Sequence, residues 1–317
     1  MTEKQNAFPK TLQAAVVYFA NPDNALDFMI SLRWPNGIAC PHCTSDRYTF
    51  ISTRLTWQCL SCKKTFTVKL GTVMEDSPIG LDKWLCATWM IVNAKNGISS
   101  YEIARSLGIT QKSAWFLAHR IRLAMQTGTF EKLGGDGHTV EADETFIRGA
   151  ARFMHKNKRA EKISSKTGFV GKVAVMGLLE RCDEGSRVRC KVIAGRRKDI
   201  IHEAVRDDVK EGSELHTDDL GSCRGLDEYV HKVVDHAVKY VEGNVHTNGL
   251  ENFWSLLKRC IKGTYVSVEP FHLFRYLDEQ SFRFNARKVT DQIRFLAVSQ
   301  MIIGRRVTYK QLTGELG

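Results

Sequence analysis

The sequence predicts a mixed α/β protein in three parts: a small metal-bound β unit, an all-helical segment, and an α/β core. Three observations carry this. Four of the nine cysteines form two close pairs fifteen residues apart. Residues 81–126 place apolar side chains at helical i, i+3, i+4 spacing. After Gly134-Gly135-Asp136-Gly137 the pattern turns to apolar strands interrupted by one amphipathic helix. The expected boundaries are 1–70 for N-terminal helices and the cysteine unit, 71–133 for the helical module, and 134–317 for the core.

A chain of 317 residues has room for two or three domains, and its 43% hydrophobic content excludes a mostly disordered one. The longest apolar stretch, Trp84 to Val92, is far short of the ~20 residues a membrane span needs. Ala14–Ala20 has the look of a signal-peptide core. It follows Gln13, however, and runs into Asn21-Pro22-Asp23-Asn24 with no small-residue cleavage site. The expectation is a soluble, cytoplasmic protein with no membrane partner.

Cys40-Pro41-His42-Cys43 and Cys59-Leu60-Ser61-Cys62 give C-x2-C-x15-C-x2-C, the spacing of a tetrahedral structural zinc site. Tyr48–Ile51 and Leu55–Gln58 fit the two strands of a hairpin between the knuckles, so the unit reads as a zinc ribbon. Four thiolates leave no open coordination position, which makes the zinc structural. Cys86, Cys182, Cys190, Cys223 and Cys260 have no ligand spacing and read as small buried hydrophobes.

Leu81, Trp84, Leu85, Thr88, Trp89 and Val92 mark one amphipathic helix. Gly97-Ile98-Ser99-Ser100 breaks it, and Ser99 or Ser100 can cap a helix over Tyr101–Leu107. Gly108-Ile109-Thr110 turns the chain into a third helix from Gln111 to Met125. Two short helices about a glycine turn, the second bearing Lys112, Ser113, Arg120 and Arg122, form a helix-turn-helix, and these four side chains are its candidate DNA contacts.

The net charge of +11 is concentrated. Between Arg148 and Lys198 lie fifteen Lys or Arg residues and four acids, so the rest of the chain is balanced. The tract is densest at Lys156, Lys158 and Arg159 and at Arg196, Arg197 and Lys198. Such a run serves either as a solvated face or as a track for nucleic-acid phosphates. Beside a helix-turn-helix and a zinc ribbon, the second reading prevails.

Within the core, Val140–Ile147 reads as a strand carrying Asp143, followed by strands at Lys172–Leu179 and Val188–Ala194. A helix over Asp199–Lys210 precedes a short strand, Ser213–Asp219, that ends in acids. Three strands, a helix and a fourth strand form the order of a ribonuclease-H-like core, in which the first and fourth strands each carry a metal-binding carboxylate. A later helix, from His246 to Arg259, offers Glu251, Ser255 and Lys258 on one face, with Phe253, Leu256 and Leu257 on the other. Phosphodiester cleavage or joining uses two divalent ions about 3.5–4 Å apart. Hard Mg2+ or Mn2+ ions take carboxylate oxygens, so a small acidic centre in a basic molecule suits nucleic-acid strand chemistry. Trp254 and Tyr265 read as core aromatics.

These stretches together resemble the bacterial insertion-sequence transposases of the ISXO2-like type, which join an N-terminal zinc ribbon to a DDE catalytic core and are relatives of the eukaryotic Merlin transposases. The resemblance begins at Arg33-Trp34-Pro35-Asn36-Gly37 and the cysteine pairs. It continues through Glu141-Ala142-Asp143-Glu144-Thr145 and His216-Thr217-Asp218. The most specific stretches are His246–Arg259, which begins His246-Thr247-Asn248-Gly249-Leu250-Glu251, and the pair Tyr276-Leu277-Asp278-Glu279 and Phe282-Arg283-Phe284-Asn285. It implies that Asp143 and Asp218 are the first two metal-binding acids and Glu251 the third, with Asn248 as a second candidate for that place. Lys258 and Arg259 would contact DNA near the reacting end. Arg148 stands where the family commonly has glycine, and Ser222-Cys223-Arg224 lacks an aromatic often found there.

The implied activity is binding of the element's terminal inverted repeats, metal-dependent end cleavage, and strand transfer into target double-stranded DNA. Two paired ends imply a homodimer or higher oligomer on DNA. The alternatives are a non-catalytic DNA-binding regulator of the same architecture and a nuclease acting on branched substrates.

Overall fold

The computed structural model describes residues 8–126, 131–148, 172–182, 185–218, 223–234 and 246–313. The chain divides into two compact units, Met1–Met125 with Val289–Gly317, and Gln126–Lys288.

In the first unit, α1 (Leu12–Phe19) is capped by the Thr11 hydroxyl, and α2 (Pro22–Arg33) begins with proline behind the Asn21 cap. The apolar run Ala14–Ala20 falls largely within the amphipathic helix α1. Ala15 and Phe19 are buried, while Val16 and Val17 face solvent. The cysteine unit is a three-stranded antiparallel sheet of β1 (Tyr48–Ile51), β2 (Thr56–Cys59) and β3 (Thr65–Phe66), in that order. Its apolar contacts are few: Trp57 stacks on Phe66 at 5.8 Å and meets the edge of Trp34 at 5.5 Å. A unit with so small a core needs a further crosslink.

The helical segment follows the expected boundaries closely. In α3 (Leu81–Asn93), Trp84, Leu85, Trp89 and Val92 are buried. Ser99 caps α4 (Ser100–Leu107) in a reciprocal capping box: its hydroxyl accepts the Glu102 amide, and the Glu102 carboxylate accepts the Ser99 amide. Gly108 ends α4 in the left-handed conformation, φ 59°, which an L side chain resists. α5 (Gln111–Met125) starts where the Thr110 hydroxyl accepts the Ser113 amide.

The second unit is built on a five-stranded mixed sheet. Its strands are β4 (Thr139–Arg148), β5 (Lys172–Glu180), β6 (Arg187–Ile193), β7 (Glu214–Asp218) and β8 (Val230–Val234), in the order β6-β5-β4-β7-β8. The first three strands pair antiparallel, and β7 and β8 run parallel to β4. The crossover to β7 is α6 (Lys198–Asp208), whose Ile201, Ala204 and Val205 pack on Val140, Ala142 and Leu215. The opposite face is covered by α7 (Asn248–Cys260) and α8 (Leu273–Asn285), through Leu250, Phe253, Trp254, Leu257 and Leu277. With both faces buried, β5 is apolar along nearly its whole length rather than alternating. β8 was not foreseen. It is short, at a sheet edge, and broken by His231 and Lys232.

The chain then returns to the first unit with α9 (Asp291–Met301) and α10 (Tyr309–Thr313). Reading 134–317 as one domain misses this. Phe295 is fully buried against Phe28 at 5.6 Å and Trp89 at 4.9 Å, and such a long-range aromatic cluster leaves no local sequence signal. Among the described residues no helix is long and apolar enough to cross a membrane.

Candidate metal centres and nucleic-acid site

The two knuckles bring all four Sγ atoms of Cys40, Cys43, Cys59 and Cys62 within 4.8 Å of one another. Cys40 and Cys62 are 3.7 Å apart and Cys43 and Cys59 are 3.5 Å apart. These separations are far beyond a disulfide bond of about 2.05 Å. They are close to the ~3.8 Å edge of a tetrahedron with Zn–S bonds of about 2.3 Å. The Cys62 amide points at the Cys59 sulfur, and backbone donors from Cys62 and Ser61 hold the Cys59 thiol down to about 6. Four sulfur atoms this close can share one tetrahedral cation. The zinc ribbon of the sequence reading is therefore formed, and its donor set fits Zn2+.

The second centre lies in the five-stranded sheet. β4 and β7 are parallel neighbours with Ala142 opposite Thr217, so Asp143 and Asp218 stand side by side one residue further on. Asp143, Glu144 and Asp218 present carboxylate oxygens within 4.8 Å of one another. Asp143 is pushed up to about 6, first by burial and then by the charges of Asp218 and Glu251, while the Trp254 hydrogen bond opposes the rise. The buried Cys223 thiol is pushed up to about 12, again by burial first and then by Glu144 and Asp218. Asp218 Oδ1 is buried with no hydrogen-bond partner among the described residues. An orphaned carboxylate oxygen in a negative cluster fits a hard divalent cation.

Glu144 was not foreseen at this centre. Its carboxylate is buried, raised by desolvation, and paired with Arg196, whose guanidinium also lies 5.6 Å over the Phe146 ring. The Asp143-Glu144 dipeptide was the available signal, but strand alternation argues against both side chains reaching one point. Asp218 at the end of β7 bridges them. Glu251 sits in the first turn of α7, is exposed, and acts on Asp143 through its charge; it is not one of the three clustered acids. Asn248, the first residue of α7, is exposed, as is Arg259, while Lys258 is half-buried.

Trp254 is both a core aromatic and a ligand to the acid. Its indole N–H donates to Asp143 Oδ2 at 2.8 Å. Room for the ring comes from Gly177, which pairs with Asp143 across β4 and β5. A Cβ on Gly177 would lie 2.5 Å from the indole.

The basic candidates fall into three groups. Lys112 and Ser113 lie at the start of α5, with Lys112 exposed. Arg197 and Lys198 are exposed, Arg197 pairing with Asp199 at 2.7 Å. Three others are turned inward. Arg122 is buried, Arg120 donates to the Val73 and Glu75 carbonyls at 3.2 and 2.8 Å, and Arg196 meets Glu144. Arg120 and Arg122 therefore take part in the packing of the helical unit. Charge count and helical position cannot reveal that α5 is enclosed on that side. Lys156, Lys158 and Arg159 lie outside the described residues.

Residues 132–285, nearly the whole second unit, match the model of the ISXO2-like transposase domain, and residues 20–65 match the transposase zinc-ribbon domain. A protein described as an uncharacterized protein in transposable element ISH50 of Halobacterium salinarum is 24% identical over 253 residues, covering 77% of this chain and 84% of that protein.

Proposed function

Because the chain belongs to the insertion-sequence transposases that couple a zinc ribbon to an ISXO2-like domain, we propose that it cleaves the ends of its own element and joins them to target DNA. The observation that carries this is the pairing of Asp143 and Asp218 on adjacent parallel strands, with a buried oxygen of Asp218 left without a hydrogen-bond partner among the described residues. The sheet order supports a ribonuclease-H-like core: three antiparallel strands, a helical crossover, and two parallel strands, with acids on the first and fourth.

Asp143 and Asp218 would hold Mg2+ or Mn2+, with Glu251, and Asn248 as a second candidate, completing the set from α7. Bound divalent ions would lower the pKa of an attacking water or hydroxyl and offset charge on the departing oxygen. Trp254 fixes one oxygen of Asp143 through its indole N–H. Lys258 and Arg259, about two turns along α7 from Glu251, would hold the DNA backbone. In the first reaction water attacks the phosphodiester at the element's end and the 3′ oxygen leaves. In the second that 3′ hydroxyl attacks a target phosphodiester, so bonds broken and formed balance with no covalent enzyme intermediate. The zinc ribbon, α4 and α5 would supply end recognition.

The test is Asp143→Asn in an assay with labelled inverted-repeat DNA. End binding should persist, while cleavage and strand transfer fall by about a hundredfold to a thousandfold, the scale of a lost electrostatic stabiliser. Retained cleavage by this variant in Mg2+ would overturn the proposal.

A further inference from the structure

We infer that Glu141, with Arg181, is a positioning residue that fixes the N-terminus of α7, and with it Glu251 and Trp254, against the acid-bearing strand; the inference rests on the functional reading above. Glu141 lies on β4 two residues before Asp143, so the two share a face of the sheet. Its carboxylate is 1% exposed. One oxygen accepts the Leu250 amide at 2.9 Å, and the other accepts Arg181 Nε at 2.8 Å. Arg181 in turn donates to the His246 carbonyl at 2.6 Å, and His246 Nδ1 lies 3.7 Å from Glu141.

This arrangement replaces an ordinary helix cap. Thr247 holds the N-cap position of α7 but makes no side-chain capping hydrogen bond. The carboxylate that satisfies the first turn comes from the sheet instead, where it also meets the positive end of the helix dipole. The fit needs Gly249: a Cβ there would lie 2.9 Å from both Glu141 oxygens, which the Leu250 amide and Arg181 hold in place.

Asp143 makes the second attachment, through Trp254. The two contact points on β4 are about 6.8 Å apart along a strand, and their partners Leu250 and Trp254 are about 6 Å apart along a helix. Two pegs of nearly equal spacing lock both the rotation and the translation of α7. Glu251 follows Leu250 directly, so its place relative to Asp143 is set by the Glu141 contact. Both neighbours of the Glu141 carboxylate are donors, so glutamine could satisfy only one and would turn its NH2 toward the other.

The experiment titrates the full-length, zinc-loaded protein with Mn2+ at neutral pH, reading free ion by electron paramagnetic resonance. Wild type should bind and Asp143→Asn should not. A wild type that fails to bind overturns the reading of the acid centre, separately from the anchor. Glu141→Gln and Gly249→Ala should weaken Mn2+ binding about tenfold or more, the usual effect of losing an outer-shell partner, with circular dichroism and zinc content unchanged. Gly249→Ala and Arg181→Lys keep the carboxylate and decide the matter should Glu141→Gln not fold. A merely structural role lowers melting temperature without moving the Mn2+ affinity of folded protein. Wild-type affinity in the folded variants overturns the inference.

Discussion

Burial is the main reason the Asp143 carboxyl titrates near 6 rather than 3.8, and the charges of Asp218 and Glu251 add to it. A carboxyl raised in the folded state stabilises the fold fully below its unfolded pKa and loses that contribution as pH climbs through the folded value. Without divalent ions, ionising Asp143 should thus cost stability between about pH 4 and 7, up to about 3 kcal/mol at about 1.4 kcal/mol per pKa unit. Asp143→Asn is expected to raise the melting temperature at neutral pH and to leave it nearly unchanged at pH ~4. Calorimetry at the two pH values checks this, and an equal loss at both would contradict it. Single residues are also where sequence reading reached its limit. The strand positions of Asp143 and Asp218 were legible because the apolar pattern fixes both strands. Glu144 and Arg196 were not, because their pairing depends on how three separate segments converge. Arg122 shows the same limit from the other side: it reads as a helix cation and is buried.

Elements were the most legible scale where the local chemistry was strong. The 81–125 helices were predicted almost to the residue because serine caps, glycine stops and helical spacing all agree there. The Ser99–Glu102 box is the sharpest case, and it also holds the Glu102 carboxyl below its ordinary value through the Ser99 amide. Ser99→Ala should lower stability of the first unit by about 1 kcal/mol, measured by thermal melting. No loss would mean α4 is held by packing alone. The ribbon depends on its metal instead of on apolar area. Cys40→Ser or chelation should expose residues 38–64 to protease while β4–β8 remain protected, and should weaken end binding. A chelated protein that binds its ends with unchanged affinity would remove the ribbon from recognition. Elements without such chemistry, β3 and β8, passed unseen because two residues or an edge position leave no periodicity to read.

At the scale of the whole molecule the excess charge is one tract between Arg148 and Lys198, and its described members divide by direction. Arg196 faces inward, while Arg197 and Lys198 face solvent. Replacing Arg197 and Lys198 with alanine should reduce the salt dependence of DNA binding by ~0.9 in log–log slope per lost phosphate contact. An unchanged slope would make these residues an idle surface. The return of the last helices to the first unit left no signal in the sequence, since the burial of Phe295 there is a purely long-range packing event. On the proposed function, Asp143 and Asp218 jointly hold the divalent ions of a strand-transfer reaction. The most direct measurement is a crystal of the protein on an element end with Mn2+, read by anomalous scattering. Manganese is expected at the Asp143 and Asp218 carboxylates, next to the terminal phosphate. Manganese bound elsewhere, with those two carboxylates carrying none, would contradict it.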